Sequence, residues 1–320
     1  MITLENISKT YLVPVRNAGV KQAISSFFKR EYRHVHALNQ ISLNIQDGEM
    51  VGYIGPNGAG KSTTIKILSG ILYPDQGKVR INGLDPFKER KKHAQQIGVV
   101  FGQRSQLWWD LPVGDSYELL KDIYKISNEE YEERLGEFVE LFELTDIIQR
   151  PVRQLSLGQR VRCDIVAALL HNPKVLFLDE PTIGLDAYSK QKVRELIKHV
   201  NRKYHTTVIL TTHDMQDIEQ IVSRVILIGH GEILYDGKLN ELVKNYGTKK
   251  QIKVFFKGEL KENPAYTILE SNQDSALLQI ETDLALVITK LQQSLRINQL
   301  EVLNMTIDDV VLNLYKEYHV

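Results

Sequence analysis

The chain has 320 residues and a mass of 36.7 kDa, which predicts two domains at about 150 residues per domain. It holds 40 Lys and Arg against 40 Asp and Glu, so its formal net charge is zero, and it lacks the excess basic charge that a general polyanion binder needs. One cysteine, Cys163, excludes an intrachain disulfide and a cysteine-rich metal site. No apolar run approaches the ~20 residues that span a bilayer, and no secretory pattern opens the chain, so composition predicts a soluble cytoplasmic protein.

The N-terminal part of the chain contains three predicted strands and a basic insertion. The strands are predicted at 2–7, 41–45 and 50–54, the first from its alternation of apolar and polar side chains. Between the first two, residues 14–36 carry five Lys or Arg against a single acid, with apolar side chains at helical spacing. This segment is predicted to be a short basic amphipathic insertion. A membrane-surface helix and a solvated helix that rests its aromatic face on the core both fit this pattern.

The middle of the chain alternates predicted helices and strands. Residues 116–148 have a helical pattern rich in Glu and Leu, which Pro151 closes. Further helices are predicted at 157–170 and 189–204, and strands at 175–178, 208–210 and 225–228. Because the connections are long enough for crossover helices, we expect an α/β core with a largely parallel sheet.

The pattern changes near residue 245. Strands are predicted at 252–256, 266–269, 276–280 and 299–303, and helices at 284–295 and after Thr306, whose spacing to Asp309 fits a capping box. We therefore predict a first domain over residues 1–244 and a small α+β accessory domain over 245–320, to which the sequence assigns no chemistry.

A glycine-rich segment at residues 55–62 fits the pattern G-x-x-x-x-G-K-[ST] and lies between a predicted strand and a predicted helix. Its glycines let backbone N–H groups approach phosphate oxygens, Lys61 can reach the terminal phosphates, and Ser62 can ligate Mg²⁺. A chance glycine-rich turn is the alternative, and the flanking strand and helix argue against it. The residues predicted to bind nucleotide here are Gly55, Asn57, Gly58, Ala59, Gly60, Lys61, Ser62 and Thr63.

Two carboxylates end the apolar strand at residues 175–178. Asp179 would lie at the carboxyl end of a central strand, where it can hold Mg²⁺ directly or through water. Glu180 can orient and polarise an attacking water. The alternative is that the two carboxylates belong to a solvated loop that follows a strand. This alternative is disfavoured because residues 55–62 supply the phosphate-binding half of the same site.

A third motif, Leu-Ser-Leu-Gly-Gln at residues 155–159, begins a predicted helix with Ser156 as a good N-cap. Taken in order, residues 55–62, 155–159 and the pair Asp179-Glu180 resemble the ATP-binding-cassette (ABC) transporter ATPase family. The resemblance implies an α/β P-loop NTPase cassette with a parallel-core sheet, an antiparallel β subdomain and a helical subdomain at about 104–160. It also implies a head-to-tail homodimer around two ATP, in which Ser156, Gly158 and Gln159 of one chain complete the site of the other.

The minor motifs of the same family have counterparts here. Gln103 resembles the glutamine that contacts Mg²⁺ and the attacking water and senses the membrane partner, so Mg²⁺ is assigned to Ser62, Gln103 and Asp179. Asp186 resembles the aspartate that crosses the dimer. His213 resembles the histidine that contacts the γ-phosphate, and with Glu180 and Gln103 it completes the expected catalytic set.

The adenine-stacking aromatic has two candidates. Tyr11 ends the first strand where the family places this ring, and it is the residue we assign. Tyr32 is the alternative, because it precedes Ala37-Leu38 at the usual distance. The motif at residues 155–159, which corresponds to the signature motif of the family, departs from its commonest form, since Leu157 stands where glycine is usual.

More narrowly, residues 101–113 and 155–160 resemble a bacterial subgroup of ABC-2-type exporter ATPases, of the multidrug or uncharacterised exporter kind. That resemblance implies an ATP-hydrolysing subunit at the cytoplasmic face of the membrane, which drives a separate permease. Trp108 and Trp109 are costly to expose, so we expect the region 103–109 to meet the permease. The alternative is that both rings pack against the helical segment 116–148.

The sequence disfavours two other functions. A soluble ABC ATPase that acts on nucleic acid or ribosomes is disfavoured by the neutral charge and by the lack of a coiled coil, zinc module or second cassette, so no nucleic-acid partner is expected. A regulatory nucleotide-binding module without turnover is disfavoured because Glu180 and His213 are both present.

Overall fold

A computed structural model describes residues 1–14, 32–102, 104–246, 251–258, 260–303 and 306–318. The chain divides into two compact units, Met1–Asp236 and Gly237–Val320. The predicted boundary after residue 244 lies later than this division. The helix Leu239–Tyr246 accounts for the difference, because its buried Leu239 and Leu242 belong to the second unit and it packs there against the helix Ile307–Glu317.

The described residues form thirteen strands and ten α-helices. The strands are β1 (Ile2–Pro14), β2 (Tyr32–Ile45), β3 (Met50–Ile54), β4 (Gln76–Ile81), β5 (Ile97–Phe101), β6 (Val175–Asp179), β7 (Thr207–Thr211), β8 (Arg224–Gly229), β9 (Glu232–Lys238), β10 (Gln251–Gly258), β11 (Tyr266–Ser271), β12 (Ser275–Ile280) and β13 (Leu295–Leu303). The helices are α1 (Lys61–Leu68), α2 (Arg90–Ala94), α3 (Val113–Tyr124), α4 (Asn128–Leu141), α5 (Leu157–Leu169), α6 (Ala187–Tyr204), α7 (Met215–Ile221), α8 (Leu239–Tyr246), α9 (Leu284–Ser294) and α10 (Ile307–Glu317).

A six-stranded sheet in the order β5-β6-β7-β3-β8-β9 forms the centre of the first unit. Its first five strands pair in parallel, as the predicted alternation of strands and helices requires. Strands β6, β7 and β8 are almost wholly buried, which explains their continuous apolar sequences. The parallel arrangement brings the carboxyl ends of β3, β6 and β7 to one edge, where the predicted site residues follow them.

A second sheet, in the order β2-β1-β4, is antiparallel. Strands β1 and β2 pair from Ile2 opposite Ile45 to Pro14 opposite Tyr32, so both are longer than predicted. The expectation of a helical insertion over 14–36 is therefore wrong at its ends, because Pro14 and residues 32–36 belong to this strand pair. Residues 15–31 lie outside the described residues.

The helical pattern at 116–148 corresponds to two helices and not to a continuous one. Helix α3 ends where Lys125 adopts a left-handed conformation with φ of 56°. Ser127 then caps α4 by accepting a hydrogen bond from the Glu130 N–H. The periodicity continues across this break because both helices bury an apolar face.

In the second unit, a four-stranded antiparallel sheet has the order β11-β12-β10-β13. Val287 and Leu291 of α9 are buried in one core with side chains from strands β10, β11 and β12. Helix α10 begins with the predicted capping box between Thr306 and Asp309. The strands and helices predicted from sequence in this unit are present, although β13 begins at Leu295, four residues before the predicted strand at 299–303.

Candidate functional site

The glycine-rich loop is shaped by close backbone packing. A Cβ on Gly55 would lie 2.4 Å from the Ile228 carbonyl oxygen, and one on Gly60 would lie 2.5 Å from that of Ala37. Gly60 also has φ of 109°, which side chains rarely tolerate. No atom lies within 4 Å of a Cβ built on Gly58, so that side of the loop is open. The loop therefore leads directly into α1 and leaves room beside its backbone for a ligand.

Lys61, the first residue of α1, points back over the loop. Its Nζ donates to the carbonyl oxygens of Gly55 and Pro56 at 2.6 and 3.1 Å. Burial lowers the pKa of this ammonium group, while the charges of Asp179 and Glu180 act in the opposite direction. The amine thus bonds to the loop and is influenced by the charges of the two carboxylates at the end of β6.

Asp179 is positioned by hydroxyl groups from two other elements. Its Oδ1 accepts from Thr211 Oγ1 at 2.6 Å and from Ser62 Oγ at 3.3 Å. Mg²⁺ prefers hydroxyl and carboxylate oxygens as ligands. Ser62 and Asp179 supply one of each here, and both were predicted from sequence to hold this ion. The donor set at this position therefore fits that ion.

Glu180 and His213 are in direct contact, with 2.7 Å between Oε1 and Nε2. The Glu180 backbone has φ of 55°, an uncommon conformation for a residue other than glycine. It is held there by its N–H, which donates to the carbonyl oxygen and to Oγ1 of Thr211 at 3.0 and 3.1 Å. Both side chains remain partly exposed at the same edge of the sheet as Ser62.

Gln103 lies outside the described residues. Its neighbour Gly102 donates its N–H to the Asp179 carbonyl oxygen at 2.7 Å. A Cβ on Gly102 would lie 2.3 Å from the Glu180 carbonyl oxygen, so this position requires glycine. The segment that leads to Gln103 is therefore packed on the two carboxylate-bearing residues.

The signature motif forms the N-terminus of α5. Ser156 and Gln159 make a reciprocal capping box, which confirms the N-cap predicted from sequence. Gly158 lies so close to α6 that a Cβ there would be 2.3 Å from Ser189 Oγ. Ser189 in turn donates to both carboxylate oxygens of Asp186. Gly158 and Asp186 are thus linked through one serine.

Comparison with known proteins decides the family. The sequence model of the family described as ABC transporter matches residues 38–183. The chain is 34% identical over 219 residues to the linearmycin resistance ATP-binding protein LnrL of Bacillus subtilis (strain 168), which covers 68% of this chain and 70% of LnrL. This chain belongs to the ABC transporter ATP-binding proteins. It is an ABC ATPase, the ATP-binding subunit of an ABC transporter.

Two further comparisons agree with this family. The cassette is 34% identical over 249 residues to the methionine import ATP-binding protein MetN of Geobacillus kaustophilus (strain HTA426), covering 77% of this chain and 68% of MetN. The solved dimeric post-hydrolysis structure of the ATP-binding cassette MJ0796, bound to ADP and Pi, is 31% identical. It superposes with a TM-score of 0.62 over 75% of this chain and 99% of that one. The ABC fold predicted from sequence is therefore confirmed.

A buried network in the cassette escaped the sequence analysis. Asp217, which is fully buried, accepts from Arg194 Nε at 2.6 Å and from the hydroxyls of Thr182 and Thr212. Thr182 follows Glu180 by two residues, and Thr212 immediately precedes His213, so one carboxylate fixes both loops. The available signal was Arg194 itself, a charge on the apolar face of α6 that needs a buried partner.

The aromatic candidates occupy different places. The Tyr11 hydroxyl lies 3.5 Å from Thr63 Oγ1 at the start of α1, whereas Tyr32 lies opposite Pro14 at the far end of the β1–β2 pair.

The two tryptophans predicted to meet a membrane partner, Trp108 and Trp109, are 39% and 52% exposed. Among the described residues, no helix has the length and apolar character needed to cross a membrane.

Proposed function

We propose that two copies of this cassette bind two ATP molecules head to tail and drive export through a separate permease. The observation that carries the proposal is the cluster of Ser62, Asp179, Glu180 and His213 beside the glycine-rich loop. Phosphoryl transfer depends mainly on positioning and on charge stabilisation. This cluster offers both at the carboxyl edge of the sheet, next to the loop whose N–H groups suit phosphate.

Within one cassette, the position of each side chain supports a distinct role. Lys61 would exchange its bonds to loop carbonyls for a bond to a terminal phosphate oxygen. Glu180 would orient the attacking water and accept its proton. His213, which contacts the Glu180 carboxylate, would hold it in place and bind the γ-phosphate. Ser62 and Asp179 would hold Mg²⁺, which when bound neutralises charge on the phosphate oxygens.

Three further assignments complete the nucleotide site. Tyr11 is proposed to stack on adenine because it lies beside the start of α1. Gln103 is proposed as a third ligand of Mg²⁺ and a sensor of the permease, on resemblance alone. Asn57, Ala59 and Thr63 are proposed to contact the phosphates through the loop and α1.

The dimer proposal rests on the signature helix. Ser156, Gly158 and Gln159 lie at the start of α5, where helix N–H groups without intrahelical partners favour an anion. In the cassette MJ0796, which is similar in fold and sequence, the post-hydrolysis state is dimeric. By analogy, Ser156 and Gly158 of one copy would bind the phosphates of the other, and Asp186 would cross between them.

The permease is proposed to dock on the loop that contains Trp108 and Trp109. Exposed tryptophans are unusual outside interfaces, because their burial in a partner yields a large hydrophobic gain. This docking would place the cassette on the cytoplasmic face of the membrane as a peripheral subunit. The basic segment 14–36 would then meet anionic headgroups or the permease.

Export is proposed because residues 101–113 resemble ABC-2-type exporter ATPases and because LnrL is named as a resistance protein. Import is a second candidate, since MetN is named as an import protein and is as similar to this chain as LnrL is. Inverted membrane vesicles that carry the cassette with its co-purified permease separate the two directions. Export predicts ATP-dependent uptake into these vesicles, and ATP-dependent release of preloaded substrate would support import.

The catalytic proposal is tested with Glu180→Gln. This variant keeps the shape of the side chain but cannot accept the proton of water, so we expect hydrolysis to fall by about 100-fold or more, within the range for a general base. It should accumulate as an ATP-bound dimer, measured by sedimentation in ATP and Mg²⁺. Glu195→Gln, an exposed position on α6, is the matched control and should behave as the native protein. A monomeric, fully active Glu180→Gln would refute the proposal.

A further inference from the structure

A buried carboxylate lies in the middle of the signature helix. Asp164 in α5 is only 5% exposed, and its neighbours Cys163 and Ile165 are fully buried. An ionised carboxylate at such a position costs several kcal/mol unless it is paired or hydrogen-bonded. The roles proposed above for the ATP site do not use this group.

The partners of Asp164 come from residues 105–107, just before the two tryptophans. Ser105 Oγ donates to Asp164 Oδ1 at 2.8 Å, and the Gln106 N–H donates to the same oxygen at 3.1 Å. The Gln106 side-chain amide donates to the Asp164 carbonyl oxygen at 2.8 Å. Ser105 Oγ also accepts the N–H of Leu107 at 3.1 Å. One helical residue thus binds two consecutive loop residues through three hydrogen bonds.

A second connection joins the same helix to the exposed end of this loop, which we call the tryptophan loop (residues 105–110). The guanidinium of Arg160 lies 5.5 Å from the ring centroid of Trp109, in a cation–π contact. Arg160 is one turn before Asp164 on α5, so the loop contacts the helix at two levels. Arg153, which precedes the helix, adds an ion pair with Asp110 and donates its backbone N–H to the Trp109 carbonyl oxygen.

We propose that Asp164 and Ser105 are a positioning pair that couples the tryptophan loop to the signature helix. Ser156 caps the same helix two turns before Asp164, and a helix transmits a displacement along its axis because its backbone is internally bonded. An event at the tryptophans would therefore shift Ser156, and ATP bound at Ser156 would shift the tryptophans. This inference rests on the proposed function, in which the tryptophans meet the permease and Ser156 meets ATP of a second copy.

The chain carries its own reporter for this coupling, since Trp108 and Trp109 are its two tryptophans. Their emission therefore reports on the tryptophan loop alone. In a Glu180→Gln background, ATP with Mg²⁺ should change the emission maximum and the accessibility of the rings to acrylamide. We expect Asp164→Ala and Ser105→Ala each to abolish this change, and the double variant to lose no more than either one.

Two variants separate positioning from a structural role. Asp164→Asn keeps an oxygen that can accept from Ser105 and Gln106, so it should restore the ATP-induced change. Tyr117→Phe removes a buried bond of 3.0 Å to the Cys163 carbonyl oxygen on the same helix without touching the loop, and it should leave the change intact. If Asp164→Ala fails to fold, Ser105→Ala, which deletes one partly buried hydroxyl, tests the same contact.

The outcomes are distinguishable. A Glu180→Gln parent that dimerises in ATP without a change in emission overturns the coupling alone. Full retention of the change in Ser105→Ala also overturns it, as does loss of the change in Tyr117→Phe. A parent that stays monomeric in ATP overturns the proposed function, and with it the coupling that depends on it.

Discussion

Replacing Arg194 with methionine should destabilise the first unit strongly. The substitution keeps most of the volume of the side chain but removes the cation from a pair in which Arg194 is 8% exposed and Asp217 is 0% exposed. The main lost bond joins Arg194 Nε to Asp217 Oδ1 at 2.6 Å, and longer contacts of the guanidinium with a glutamine of α7 and with the aspartate that caps α7 are lost as well. Among the described residues, the hydroxyls of Thr182 and Thr212 are the side-chain donors that Asp217 would keep.

The expected magnitude follows from what remains around Asp217. Removing one partner of a buried ion pair costs about 3–5 kcal/mol, because the other charge stays buried without compensation. Two hydroxyl donors still bind this carboxylate, so we expect the lower end of that range, about 3 kcal/mol. Since Thr212 precedes His213, and Thr182 follows Glu180, kcat for ATP hydrolysis should fall more than KM rises.

Urea unfolding followed by tryptophan emission measures this loss, because Trp108 and Trp109 both lie in the first unit. Arg202→Met is the matched control, as Arg202 is an exposed arginine on the same helix α6. Its free energy of unfolding should stay within about 0.5 kcal/mol of the native value. If Arg194→Met costs less than about 1 kcal/mol, or no more than the control, the argument that Asp217 depends on Arg194 is refuted.

Three other substitutions test separate parts of the structure. Burial raises the pKa of Asp164 from 3.8 to about 6, so folding favours the protonated form and the protein loses stability as pH rises from about 4 to 6. Asp164→Asn, which cannot ionise, should therefore have a free energy of unfolding up to about 3 kcal/mol higher than the native protein at pH 7.5. Urea titrations should show this difference disappearing near pH 4. Gly60→Ala should weaken ATP binding by at least about tenfold in titrations with a fluorescent ATP analogue, because the new Cβ would clash with a carbonyl oxygen. The control Gly136→Ala places its Cβ in open space on α4, so it should bind ATP normally and raise the free energy of unfolding by about 0.5–1 kcal/mol. His213→Ala should lower kcat in steady-state assays while ATP affinity stays within about twofold, and an unchanged kcat would exclude the proposed role of His213.

The extent to which the sequence predicted the fold depends on how local each pattern is. Strands such as β6 and β7 were predicted because a short run of three or four consecutive apolar residues is typical of a buried strand. The N-cap at Ser156 and the capping box at Thr306 were predicted because all their atoms lie within four residues. The length of the β1–β2 pair was not predicted, because it depends on long-range pairing between residues 2–14 and 32–45. Where these strands extend beyond the predicted ones, they carry many polar side chains and lack a clear apolar pattern.

By itself, the sequence determined the family, the order of the motifs and most of the residues that the structure brings together at the candidate nucleotide site. Those features are contiguous segments whose backbone shape follows from their own glycines, caps and apolar runs. Only the tertiary structure decided which partners the buried charges take. Arg194 meets Asp217 across 23 residues, and Ser105 meets Asp164 across 59. A charge on an apolar helix face indicates that a buried partner is needed. Many side chains in the sequence could be that partner, and the packing of the helices against the sheet determines which one it is.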